Sequence, residues 1–401
     1  MRSVAQPTLA LILGVHRSGT SLLTQGLVAA GAQMGAFQDA YDPDNPDGYA
    51  EHPKVQTFND RLLAYLGASW DNWGFRAGLV DWDAPVLAPW QDEASALLRN
   101  IFAGDGPFVL KDPRCATLAP FWERVVPQAG FALRRIVILR DPAEVAESQH
   151  QRVARRPHEF PVIAGAEPMA ALWAVAMTEV LSAFADDATL IVSHAALLAN
   201  PVPTMAAAAR FAGLPEASES IADFAANRVK PEYYRARVSP DAGLDGPWMA
   251  AARALFADLM RSAPPRLLPR AEAAAIVAAQ SALVALLPGL PAVQDSIRRM
   301  QMLLSDRQDR IAALSKFLWI VVPLARSAPL GALVPALDSS SALAEDSDLS
   351  NSNFAFAHSV ARLYLFAGRK AEGLAWIDRI RPHFGHLKAF DQIAQRLSEL
   401  L

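Results

Sequence analysis

The stretch Leu9–Leu23, LALILGVHRSGTSLL, constrains this chain more than any other: an apolar run breaks into a short polar loop bounded by glycines, and apolar spacing then resumes. Leu9–Val15 reads as a buried strand, Gly14–Gly19 as the turn, and Thr20–Ala30 as a helix with Leu22, Leu23, Leu27 and Ala30 on its apolar side. Strand, tight loop and helix in that order aim backbone NH groups and the positive end of a helix dipole at one place, which makes an anion site. The glycine spacing is that of a P-loop, but Thr20 stands where the lysine belongs, and the cation sits inside the turn at Arg17. A nucleotide triphosphatase needs that lysine on the terminal phosphates, so the expected ligand is anionic and not handled as ATP.

With 401 residues the chain is long enough for two or more domains. Its 37 basic and 41 acidic side chains give a net charge of −4, so no overall field favours nucleic acid and an anion site must be local. Cys115 is the only cysteine, which excludes intrachain disulfides and fits a reducing compartment, so a cytoplasmic location is expected. Arg2 precedes a short apolar run, but that run leads into HRSGTS rather than a small-residue cleavage site and reads as the first strand. The longest apolar stretch, Phe317–Leu337, is interrupted by Pro323, Arg326, Pro329 and Pro335 and reads as a buried helical hairpin rather than a membrane span.

After the first helix, Asp42–Pro53 (DPDNPDGYAEHP) has loop composition and carries the carboxylate Glu51. Pro53 opens a helix to about Leu66. Trp70, Trp73, Phe75, Trp82 and Trp90 follow in an irregular segment, suited to stacking on a sugar or adenine face or, more commonly, to covering a core. A helix over Pro89–Phe102 precedes a strand, Pro107–Leu110, which ends in Lys111, Asp112, Pro113 and Arg114. That is the sheet edge where ligands bind in parallel α/β folds. A helix near Leu118–Val126 leads to the strand Arg135–Leu139 and then Arg140, with Pro142 opening a helix through Arg155. Ser148 lies two turns into that helix, where it can converge with Arg140 on one ligand group. A helix over Met169–Phe184, a strand over Ala188–Val192 and a helix over Pro203–Ala212 continue the alternation, which predicts a parallel sheet flanked by helices.

Asn227–Ser239 is basic, with Arg228, Lys230, Arg235 and Arg237, and suits either an arm over an anionic ligand or an exposed linker. Residues 246–338 read as a helical region. Within it, apolar residues from Val293 to Leu318 alternate steps of four and three, a heptad seam that pairs with a partner helix, as in a homodimer, or packs on its own chain. Ser339–Ser352 reads as a linker. Residues 353–401 read as helical, and SVARLYLFAGRKAEGLAWIDRI resembles one tetratricopeptide helix-turn-helix unit.

These motifs together carry a family resemblance. GVHRSGTSLL looks like the 5′-phosphosulfate loop of sulfotransferases, and Arg140 with Ser148 in LRDPAEVAES resembles their 3′-phosphate motif. DPDNPDGYAEHP and VLKDPRCATLAPFW are similar to segments of bacterial sulfotransferase domains. The resemblance implies a P-loop-type α/β domain, placed at 8–245, that takes 3′-phosphoadenosine 5′-phosphosulfate as donor and needs no metal. It implies a carbohydrate or other small-molecule hydroxyl as acceptor. Arg17 matches the family's basic loop residue at the 5′-phosphate and the transferred group, with His16, Ser18, Gly19, Thr20 and Ser21 around the same phosphate. Arg140 and Ser148 match the 3′-phosphate grip, and Arg235 and Arg237 resemble the late arm over the nucleotide. For the general base Glu51 comes first, because glycan-type and several bacterial members place a glutamate there; Asp112 is second and His52 third. Two other readings compete: a magnesium–ATP kinase or NTPase, with Ser21 on the metal and Asp141 as its acid, and a non-catalytic scaffold.

Overall fold

The computed structural model describes residues 6–37, 48–155, 165–214, 219–229, 246–290 and, toward the C-terminus, 358, 360–362, 364–365, 369–384 and 388–399. The chain divides into two compact units, Met1–Arg298 and Arg299–Leu401.

The first unit begins with β1 (Thr8–Leu13) and α1 (Thr20–Ala29), then α2 (Pro53–Tyr65) and α3 (Ala88–Ile101). Next come β2 (Phe108–Lys111), the single turn α4 (Arg114–Thr117), α5 (Ala119–Gln128), β3 (Ala132–Leu139) and α6 (Pro142–Arg155). The central helix α7 (Ala166–Ala183) leads to β4 (Thr189–Ser193), α8 (His194–Ala199), α9 (Pro201–Phe211) and α10 (Glu219–Arg228). The unit ends with α11 (Pro247–Met260), β5 (Arg266–Leu267), α12 (Arg270–Ala279) and α13 (Ser281–Leu286).

The sheet order is β2-β1-β3-β4-β5. The first four strands run parallel, and β5 pairs antiparallel with β4 through Leu190–Leu267 and Ile191–Arg266. The α/β reading therefore holds, with a short antiparallel edge that no alternation in the sequence announces. Strand β1 is apolar on both faces because both are covered. Leu9, Leu11 and Leu13 pack with α3, α5, α7 and α11, whereas Ala10 and Ile12 pack with α1, α9 and α10.

Of the stretch 246–338, expected as a helical region, the described residues 246–290 lie within this unit. Helix α11 packs on α7 and α6, and β5 extends the sheet. The link is polar as well as apolar: the Glu167 carboxylate accepts from the backbone NH groups of Trp248 and Met249, satisfying free donors in the first turn of α11. Helix α7 is buried continuously from Met169 to Leu181, as expected of a helix apolar on all sides. Its one buried acid, Glu179, accepts from Arg76 Nε and Gly78 N.

Helices α3, α5, α6 and α7 and strands β2, β3 and β4 lie within a few residues of their expected bounds, whereas the single turn α4 was not expected. Helices α8 and α10 were not anticipated. In the second unit, helices Lys370–Phe384 and Lys388–Ser398 pack together, burying Ile377, Ile380, Ile393 and Leu397. The heptad segment 293–318, the apolar stretch 317–337 and the linker 339–352 lie outside the described residues.

Candidate active site

The sheet order decides where the chemistry gathers. Strand β1 lies between β2 and β3, with Ile12 opposite Lys111 and Leu13 opposite Val137. The loop leaving β1 is therefore flanked by Lys111–Asp112 on one side and by Arg140 on the other. Within the loop, Ser18 N donates to Val15 O at 3.2 Å, and Arg17 and Gly19 both take left-handed backbone, at φ 69 and 87. Gly19 is the N-cap of α1 and offers no side-chain cap, so the first NH groups of the helix stay available to a ligand. Ser18 is fully buried and its hydroxyl has no hydrogen-bond partner among the described residues. A buried, unsatisfied hydroxyl inside an anion-binding loop fits a bound oxyanion.

On the β3 side, Arg17 Nε donates to Ser148 Oγ at 3.0 Å, across 131 residues of sequence. Arg140 Nη1 donates to Arg17 O at 2.7 Å, and Arg140 Nε to Glu144 Oε2 at 3.2 Å. Arg17, Arg140 and Ser148 thus form one connected cluster, with Arg140 and Ser148 both buried.

On the β2 side, Lys111 is 3% exposed and its ammonium makes three hydrogen bonds. It reaches Glu51 Oε1 at 2.6 Å, Tyr49 O at 3.0 Å and Ser21 Oγ at 3.2 Å. Ser21 Oγ itself donates to Tyr49 O at 2.9 Å, and Gln25 Nε2 to Gly48 O at 3.1 Å, so the segment carrying Glu51 is tied to α1. Ala50, immediately before Glu51, sits at φ 53, which for a residue with a Cβ costs about 1–2 kcal/mol. Glu51 Oε2 lies 3.8 Å from Arg114 Nη1, and Arg114 Nε donates to Asp60 Oδ1 at 2.5 Å.

One sequence-family model matches residues 10–219, and it describes a sulfotransferase family. The chain belongs to the sulfotransferase family. No curated protein matches this sulfotransferase. Two solved structures align with it. The sulfotransferase domain from the curacin biosynthetic pathway is 18% identical, covering 68% of this chain and 96% of that one at a TM-score of 0.33. The sulfotransferase domain of the Synechococcus PCC 7002 olefin synthase is 15% identical, covering 69% and 96% at 0.33. A TM-score of 0.33 carries no weight, and membership rests on the family match.

Most of the expected site residues in this sulfotransferase converge, but not in equal roles. Asp112 is fully buried, and its Oδ1 accepts from Arg114 N at 2.8 Å and Arg114 Nη1 at 3.3 Å. Burial pushes its carboxyl up against the pull of Arg114. This geometry makes Asp112 an anchor for Arg114 rather than a group open to an acceptor. His52, the third expectation, caps α2 by accepting from Lys54 N at 3.3 Å through Nδ1. His16 packs its ring on Trp70, with centroids 4.6 Å apart. Burial, followed by Arg114, Lys111, Arg152 and Arg17, holds His16 well below the ordinary imidazole range, so it is neutral at physiological pH.

Of the aromatic segment, Phe75 and Trp82 are core, while Trp70, Trp73 and Trp90 are partly buried against it. Arg235 and Arg237 lie outside the described residues. Lys111 was visible in sequence only as part of a charged strand end. Tyr49, acting through its carbonyl oxygen, left no sequence signal, and its hydroxyl accepts from Arg152 Nη2 at 3.3 Å. Among the described residues, no cluster of three or more His, Cys, Asp or Glu side chains could hold a metal, and no single helix is long and apolar enough to cross a membrane.

Proposed function

We propose that this sulfotransferase uses 3′-phosphoadenosine 5′-phosphosulfate as donor and moves its sulfuryl group in line onto an acceptor hydroxyl, of a carbohydrate or other small molecule. The observation that carries this reading is the 3.0 Å bond from Arg17 Nε to Ser148 Oγ. It joins the loop suited to a 5′-phosphosulfate directly to the motif suited to a 3′-phosphate, and a donor phosphorylated at both ends of its ribose is what such a pair would grip. The donor supplies a sulfuryl group on a good leaving group, a nucleotide phosphate.

The chain's own residues would do the rest. Arg17, Ser18 and the first NH groups of α1 hold the 5′ end, and Arg17 stabilises the negative charge that grows on the bridging oxygen as the S–O bond to the nucleotide breaks. Glu51 takes the proton of the acceptor hydroxyl as its oxygen bonds to sulfur. Lys111 holds Glu51 in register with the loop by bonding Glu51 and Ser21 at once.

A magnesium–ATP reading requires Ser21 to ligand a metal ion, and Lys111 Nζ already stands 3.2 Å from Ser21 Oγ. The test is label transfer: with sulfur-labelled donor and a chelator present, label should move to a component of an acceptor pool. Magnesium-dependent phosphoryl transfer from ATP, with no sulfur label moved, would refute the proposal.

A further inference from the structure

The donor loop carries a backbone problem. Arg17 and Gly19 are both left-handed, two residues apart, and Arg17 has a Cβ that makes this conformation unfavourable. Such geometry persists only where the surroundings over-determine it. Two holding contacts belong to the site already described: Ser18 N to Val15 O within the turn, and Arg140 Nη1 to Arg17 O. The third comes from elsewhere. A Cβ placed on Gly19 would lie 2.4 Å from His194 Cδ2 and 3.1 Å from its Nε2, so the imidazole packs directly against the back of the loop. His194 is the first residue of α8, directly after β4, and is 7% exposed. Its position is fixed by Ser193, whose hydroxyl accepts from Ala196 N at 3.3 Å and caps the helix.

We infer that His194 is a positioning residue for the donor loop: its ring, packed on Gly19, holds the loop in the left-handed shape that aims its NH groups at the donor. The inference rests on reading that loop as the donor site. Ends of adjacent strands then act as a pair, β3 fixing Arg17 through Arg140 and β4 fixing Gly19 through His194. Burial, with Arg140 adding to it, lowers the imidazole to about 3. The ring is therefore uncharged at physiological pH and acts by shape.

The test is calorimetry of adenosine 3′,5′-bisphosphate binding to the full chain at pH 7.5, for wild type, His194→Ala, His194→Phe, Gly19→Ala and the Gly19→Ala/His194→Ala pair. His194→Ala should weaken binding about tenfold, whereas His194→Phe, which keeps a ring against Gly19, should stay within roughly threefold of wild type. In the Gly19→Ala background the sign should reverse. Removing the ring that the new Cβ meets should improve binding, a coupling that a general loss of stability does not produce. His194→Ala binding like wild type, or weakening binding equally in both backgrounds, overturns the inference. If His194→Ala does not fold, His194→Asn takes its place in both backgrounds with the same expected signs. Failure of the wild type to bind the bisphosphate overturns the donor reading itself, and this inference with it.

Discussion

Replacing Lys111 with Met keeps the length of the side chain and removes its charge. Lys111 is 3% exposed in the wild type, and its ammonium bonds Glu51 at 2.6 Å, Tyr49 O at 3.0 Å and Ser21 Oγ at 3.2 Å. Removing one partner of a buried ion pair costs about 3–5 kcal/mol, mostly through the charge left behind. Here Glu51 keeps Arg114 at 3.8 Å and its side chain is 12% exposed, which reduces the expected loss to about 2–3 kcal/mol. In a unit of this size that lowers the melting midpoint by roughly 5–10 °C. Adding Glu51→Gln removes the stranded carboxylate, so the double variant should recover about half of the loss, a coupling of about 1–2 kcal/mol. Denaturant unfolding of the four chains measures this directly. If Lys111→Met costs less than about 0.5 kcal/mol, or the two losses simply add, Lys111 and Glu51 are not one charged unit and the reasoning fails.

Glu51→Gln should slow sulfuryl transfer by about 10²–10⁴ while adenosine 3′,5′-bisphosphate affinity stays within twofold, and wild-type turnover would place the base elsewhere. Ser148→Ala should weaken the bisphosphate about tenfold more than it weakens AMP, as read by calorimetry; equal losses for both ligands would dissociate Ser148 from the 3′-phosphate. Folding stability should fall in acid through the buried imidazoles. His194 is lowered to about 3 by burial and then by Arg140, and His16 is lowered too, so below about pH 6.5 the unfolded chain binds protons that the folded chain refuses. Stability therefore rises with pH up to about 6.5 and levels off above it, and His194→Phe should remove about 1–2 kcal/mol of the difference between pH 5 and pH 7. An unchanged pH profile in that variant would contradict the assignment.

The sheet and its order of elements were legible because the local signals agreed. LALIL and IVIL are apolar runs, and Pro53 and Pro142 mark helix starts where the chain indeed turns helical. The edge strand β5 was not legible: at two residues it has no period to read, and it exists because it pairs with β4. The same limit separates the two halves of the site. Arg17, Arg140 and Ser148 could be named from motifs, since each sits at a fixed distance from a strand end. Lys111 could not be ranked above its neighbours Asp112 and Arg114. Only the placement of β2 beside β1 brings Lys111 to Ser21 and Glu51, and the same turn folds Asp112 back onto Arg114. Tyr49 acts through a backbone carbonyl, and any residue type carries one. His194 was invisible for a related reason, since its contact is with a glycine that shows no side chain in the sequence.

The most direct test of the two-ended donor site is a calorimetric comparison of adenosine 3′,5′-bisphosphate with ADP on the full chain, run in chelator and again with magnesium. The two ligands carry similar charge and differ in whether a phosphate sits at the 3′ position, where Arg140 and Ser148 would grip it. Adenosine 3′,5′-bisphosphate should bind at least about a hundredfold more tightly, a difference near 3 kcal/mol. Equal affinities, or a preference for ADP that appears only with magnesium, would contradict it.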